Sequence, residues 1–185
     1  SFGTIWEKKD LNESRVKIDL LLVYLWNVIT FLRIEGVRDD DLFLLLDADE
    51  IPNEEVLLFF KLYDGYPEPI TLTLRWSVFG FFWKRRRNDL TLSNVEEVTK
   101  IVAICTIRML REVYDNNAMS LRRNHVGEEA VSSKIKKYAE NGNFVLEWQV
   151  GKVGNYAGFH CSWCYPPDGI RLKLWSAQKD DKPRW

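Results

Sequence analysis

The chain is poor in the residues that would commit it to a redox, zinc or membrane role. Only three of its 185 residues are cysteine and two are histidine. Cys161 and Cys164 form a Cys-x-x-Cys, but a zinc site needs a second ligand pair, and His160 directly beside Cys161 is awkward for one tetrahedral ion. A thioredoxin-type pair wants a helix start after a strand, and Pro166-Pro167 argues against a helix there. The plainer expectation is a structural disulfide from Cys105 to one of the pair, leaving one thiol, in an oxidising compartment. Net charge is −1, so no global field favours nucleic acid or an anionic membrane. Long apolar runs are also missing. The longest, residues 18–34, is broken by Asp19, Asn27, Thr30 and Arg33, and reads as a buried strand followed by a helix. No basic-then-apolar leader opens the chain, and Ser1 is not an initiator Met, so a fragment of a longer protein is expected.

What is present suits a soluble globular protein. The length is enough for a domain with a real core, and 46% hydrophobic with 29% charged residues is ordinary. Aromatics stand out, with 8 Trp, 7 Tyr and 10 Phe. Such side chains stack on sugar rings, and they also fill cores. Asn12-Glu13-Ser14 is a glycosylation acceptor triplet, which fits a secretory route.

The most informative stretch is Phe43-Leu44-Leu45-Leu46-Asp47-Ala48-Asp49-Glu50-Ile51-Pro52. An apolar strand that ends in Asp-x-Asp places two oxygen ligands at the carboxyl end of a sheet, where open α/β folds bind ligands. Hard divalent cations prefer carboxylate oxygen. A cation held there neutralises a sugar-nucleotide diphosphate, and the chemistry this suggests is glycosyl transfer. The alternative is a solvated turn after a strand.

The remaining pattern alternates strands with helices and points to α/β. Residues 16–26 are partly strand-like and residues 27–36 helical, with Gly36 as the stop. Residues 42–46 read as a fully buried strand. Residues 52–63 read as a helix, with acidic residues in the first turn and Val56, Phe59, Phe60 and Tyr63 at helical spacing. Residues 70–76, 101–110 and 144–150 are predicted strands, and 170–177 is amphipathic. Residues 85–100 look like an exposed insertion. Residues 115–143 are hydrophilic, without a clear period, and are predicted to be a polar insertion or mobile region of a single partial domain over 1–185. Lys84-Arg85-Arg86-Arg87 reads as a solvated loop rather than a nucleic-acid contact.

Several blocks together resemble glycosyltransferase family 17. They are Asp-Ala-Asp-Glu-Ile-Pro (47–52), Leu-Phe-Phe-Lys-Leu-Tyr-Asp-Gly (58–65), Gly-Phe-Phe-Trp-Lys (80–84), Ala-Gly-Phe-His-Cys-Ser-Trp-Cys (157–164), Gly-Ile (169–170), Lys-Leu-x-Ser-Ala-Gln (173–178) and Pro-Arg-Trp (183–185). The resemblance implies a GT-A-like (Rossmann-like) nucleotide-sugar fold, incomplete at both ends. It implies an inverting transfer of N-acetylglucosamine from UDP-N-acetylglucosamine to the β-linked core mannose of an N-glycan, in β-1,4 linkage. It further implies Mn2+ dependence, a Golgi lumenal setting, and a membrane anchor outside this chain. No nucleic-acid partner is expected.

Residue roles follow from that resemblance. Asp49 is the candidate Mn2+ ligand, with Asp47 on the ribose side, in the outer shell or on the metal through water. His160 is the candidate that completes the coordination, or else a core histidine satisfied by backbone. Asp168, in Pro166-Pro167-Asp168-Gly169, is the candidate general base, with Glu50 and Glu147 as rivals. Arg75 and Lys173 are candidates for the donor phosphates; Lys84 reads as solvated. Trp76, Phe79, Phe82 and Trp83 are candidates for an acceptor stacking platform, with core packing as the alternative. A second reading is a non-catalytic glycan-binding domain of the same fold. A third, a zinc or redox Cys-x-x-Cys protein, predicts stoichiometric zinc or a reactive thiol pair.

Overall fold

A computed structural model describes residues 7–8, 37–81 and 97–176. The strand and helix expected over 16–36, and most of the insertion expected over 85–100, lie outside those residues. The chain forms a mixed α/β structure around one long strand, β5 (Glu68–Val78). Its neighbours are β6 (Val98–Thr106), β7 (Val145–Val150) and β8 (Gly158–Ser162). β6 runs antiparallel along one edge of β5. The other edge is shared: β7 pairs in parallel with the first half, from Glu68 to Leu72, and β8 in parallel with the second half, from Leu74 to Val78. β2 (Leu42–Leu44) adds antiparallel to β6, and β3 (Glu50–Pro52) antiparallel to β8. A separate two-stranded ribbon pairs β1 (Glu7–Lys8) with β4 (Tyr63–Asp64).

Residue alternation sets the two faces of this six-stranded sheet. Ile70, Leu72 and Leu74 point to one face and pack with Ile101, Ala103, Ile104, Ala157 and Phe60 of α1 (Glu54–Leu62). Aromatics finish this cluster, with Tyr66 stacked on Trp148 at 6.2 Å and Phe59 stacked on Tyr63 at 5.1 Å. For these rings the choice between sugar stacking and core falls to core. On the opposite face Leu45, Val102 and Cys105 meet helices α2 (Ile107–Glu112), α3 (Ala118–Arg123) and α4 (Glu129–Glu140).

Several expectations change. Residues 115–143 are not a loose insertion: they carry α3 and α4, and bury Ala118, Leu121, Val131, Ile135 and Tyr138. The last three lie at i, i+4 and i+7, an apolar stripe diluted by the polar residues around it. The strand expected over 101–110 ends at Thr106, because the Thr106 hydroxyl accepts from the Met109 backbone N–H at 3.0 Å and caps α2. The strand at 42–44 is half-buried rather than fully buried, pairing with β6 alone. Pro166-Pro167 does not exclude a helix: Pro167 opens α5 (Pro167–Ser176), where a missing N–H costs nothing.

The cysteine expectation is also corrected. Cys161 bonds to Cys164, with Cα atoms 5.5 Å apart, and Cys105 is the free thiol. Cys105 is fully buried in β6 beneath α2, and burial pushes its thiol up.

Buried Glu68 ties the strands to the helices. Its carboxylate accepts from the Thr106 N–H at 2.6 Å and from the Tyr138 hydroxyl at 2.7 Å. Among the described residues no helix is long and apolar enough to cross a membrane.

Candidate active site

The acidic stretch closes on itself as a turn. The Glu50 N–H donates to the Asp47 carbonyl at 3.0 Å, and the Asp47 N–H donates to Glu50 Oε2 at 2.8 Å. β3 then leaves the turn and pairs with β8, with Glu50 opposite His160 and Pro52 opposite Gly158. Gly158 permits this approach. A Cβ there would strike the Ile51 carbonyl oxygen and lie 2.6 Å from Pro52 Cα. The Cys161 N–H donates to the Asp49 carbonyl at 2.8 Å, which pins the turn to β8.

Asp49 and His160 are thereby brought together. Asp49 Oδ2 lies 3.6 Å from His160 Nε2, and both side chains are mostly buried. The far nitrogen of the imidazole, Nδ1, is 2.9 Å from the Thr99 hydroxyl. His160 also packs beside the Trp76 ring, centroids 5.6 Å apart, one strand over. The Trp76 indole N–H donates to Ser162 Oγ at 2.9 Å. Nε2 also lies 3.4 Å from the Ser162 hydroxyl; with Nδ1 held by Thr99, it is the nitrogen that a metal ion would take. The disulfide begins at the residue after His160 and closes a loop that contains Ser162.

The other acidic residues are sorted by Arg122. Its guanidinium donates to both Glu50 oxygens, at 3.2 and 2.7 Å, and reaches Asp47 Oδ2 at 3.6 Å. Glu50 is 5% exposed at its side chain and Asp47 73%. Asp47 therefore stands at the rim and Glu50 inside. Arg122 was invisible to sequence reasoning. Its one signal is indirect: a carboxylate buried as deeply as Glu50 requires a cation.

The remaining candidates are not gathered here. Asp168 sits in the first turn of α5, with its carboxylate exposed and 3.7 Å from Arg171. Glu147, on β7, accepts from Thr71 Oγ1 at 3.0 Å and lies 3.0 Å from His125 Nδ1. Arg75 follows the opposite face of β5 from Trp76. Its Nε is buried without a hydrogen-bond partner among the described residues, as are Thr73 Oγ1 and Ser77 Oγ on the same face. Phe82 and Trp83 lie outside the described residues, as does the side chain of Lys173. Phe79, 68% exposed, and Phe81, 45% exposed, end the described part of that segment.

Among the described residues no three His, Cys, Asp or Glu side chains converge as a complete metal cage. Asp49 and His160 would supply two ligands to a cation bound there. That is an adequate protein share for a cation that keeps waters and takes substrate phosphates as further ligands.

Residues 24–100 match the sequence model of glycosyltransferase family 17. The chain is similar to proteins named beta-1,4-mannosyl-glycoprotein 4-beta-N-acetylglucosaminyltransferase: 40% identical to that of Rattus norvegicus and 39% to those of Homo sapiens and Mus musculus. Each similarity runs over 154 residues, 83% of this chain and 26% of the relative. The chain thus spans about a quarter of the length of the curated relatives it matches. No solved structure matches it. The resemblance to the family, read from its sequence blocks, is borne out.

Proposed function

We propose, taking the family 17 match as premise, that this chain is part of an inverting glycosyltransferase. It moves N-acetylglucosamine from UDP-N-acetylglucosamine to the β-linked core mannose of an N-glycan on a glycoprotein, in β-1,4 linkage. The names of its relatives support the sugar and the linkage. The observation that carries the reading is the 3.6 Å approach of Asp49 to His160 at the end of an Asp-x-Asp strand. The fold it implies is GT-A-like, with the donor in the crevice beyond the strand ends.

Asp49 and His160 would hold Mn2+, since carboxylate and imidazole both suit it. Bound there, the ion supplies positive charge for the departing diphosphate. Thr99 fixes the His160 ring, and the Ser162–Trp76 bond holds the aromatic wall beside it. Exposed Phe79 and Phe81 follow Trp76 along the chain and offer apolar faces to a sugar acceptor. Arg75, on the face of β5 away from Trp76 and His160, is set aside as a contact for the donor phosphates. Glu50 is a poor base, because Arg122 occupies both of its oxygens. Asp168 keeps an exposed carboxylate and remains the candidate that takes the proton of the acceptor hydroxyl. The Cys161–Cys164 disulfide suits an oxidising lumen and supports a Golgi setting.

The test is calorimetric titration of UDP-N-acetylglucosamine into the protein, with Mn2+ and with EDTA, repeated on Asp49→Ala. Metal-dependent binding that disappears in the variant is expected. Glycan binding without any donor binding would instead favour a non-catalytic glycan-binding domain of the same fold.

A further inference from the structure

We propose that Arg122 is the positioning residue of the acidic turn. It withdraws Glu50 from the ligand set and so leaves the cation to Asp49 and His160. This rests on the donor-site reading above.

The sequence places three carboxylates within four residues, Asp47, Asp49 and Glu50. Left alone, any two of them would compete for a cation, and their mutual repulsion would open the turn. Arg122 decides between them. Its planar fork matches the Glu50 carboxylate in two parallel hydrogen bonds, at 3.2 and 2.7 Å, a fit that a lysine cannot reproduce. The same Glu50 carboxylate accepts the Asp47 N–H at 2.8 Å, so the guanidinium orients the group that closes the turn. Its reach to Asp47 Oδ2, at 3.6 Å, holds the outer carboxylate on the Arg122 side. Asp49 is left facing His160.

The device is rigidly delivered. Arg122 rides on α3, whose Ala118 and Leu121 are buried in the core and whose Asn117 side chain accepts from the Ser120 N–H at 3.1 Å. The Arg122 side chain itself is 15% exposed.

The experiment measures Mn2+ affinity directly, by the paramagnetic resonance signal of free Mn2+ during titration, alongside a thermal melt of each variant. The variants are Arg122→Lys, the pair Glu50→Gln with Arg122→Met, and Asp49→Ala. The pair removes both partners together, so no charge is stranded in the interior. Where that pair melts below the assay temperature, Arg122→Lys carries the test. Outer-shell partners typically change metal affinity by about 10- to 100-fold. Weakening of about that size is expected in the Arg122 variants at a melting temperature close to the parent's, with binding abolished in Asp49→Ala. A purely structural Arg122 would lower the melting temperature and leave Mn2+ affinity at the parental value, which would overturn the proposal while Asp49→Ala still upheld the metal site. Parental affinity in Asp49→Ala would overturn the metal site itself, and the role of Arg122 with it.

Discussion

His160 lies directly opposite Glu50 in the β3–β8 ladder, yet its imidazole closes on the preceding carboxylate, Asp49, at 3.6 Å. The reason is that Glu50 is already engaged, with both oxygens on Arg122. The residue paired in the ladder and the residue paired in the site are thus different, and the site is drawn across the turn rather than across the strands.

Thr99 is the cleanest probe of that geometry. Thr99→Val removes the hydroxyl 2.9 Å from His160 Nδ1 and preserves shape. Mn2+-dependent donor binding is expected to fall by about 10-fold or more. His160→Ala should remove it entirely. Calorimetric titration of both variants checks this. Unchanged binding in His160→Ala would reassign that residue to the core.

Gly158→Ala is expected to destabilise the protein by about 1–3 kcal/mol, through a collision with the Ile51–Pro52 backbone. The β3–β8 pairing should loosen first, and with it the turn that carries Asp49. Urea unfolding gives the stability. Faster amide exchange at Cys161, whose N–H donates to the Asp49 carbonyl, reports the local loss.

Alkaline pH should destabilise the fold. Burial is the first cause that pushes the Tyr114 and Tyr138 phenols above their ordinary value of 10.0. The folded chain keeps those protons after the unfolded chain has lost them, so their contribution is complete below about pH 10 and is lost as pH rises further. Each buried phenol adds at most about 1.4 kcal/mol per pH unit to that slope. Tyr114→Phe should flatten it. The Tyr114 hydroxyl is buried without a hydrogen-bond partner among the described residues, so the change should cost little near neutral pH. Urea melts of parent and variant across the alkaline range decide this, and parallel slopes would rule out a titrating Tyr114.

Thiol counting tests the cysteine assignment. Alkylation of the unreduced, denatured chain should label Cys105 alone, and the folded chain should resist labelling because Cys105 is fully buried. Mass spectrometry of the labelled peptides identifies the site. Label on Cys161 or Cys164 instead would restore a bridge to Cys105.

What the sequence determined by itself was local. Helix α1 was written in the spacing of Val56, Phe59 and Phe60, and β5 and β7 in runs that suit a half-buried or buried strand. The acidic turn was legible as the break that follows an apolar run, whereas the strand Glu50–Pro52 that leaves it was not. The family blocks followed the same stretches. Tertiary structure decided everything that depends on distant partners. Whether Cys161 meets Cys164 or Cys105 depends on which side of β6 the thiol of Cys105 is buried. That residues 115–143 are packed depends on the sheet face that receives Val131, Ile135 and Tyr138, since a stripe so dilute gains its helix from burial rather than propensity. Which of three neighbouring carboxylates faces His160 depends on Arg122, carried in on another element. Short-range patterns record backbone preference and burial, whereas the pairing of charges depends on distance in space, which only the folded sheet supplies.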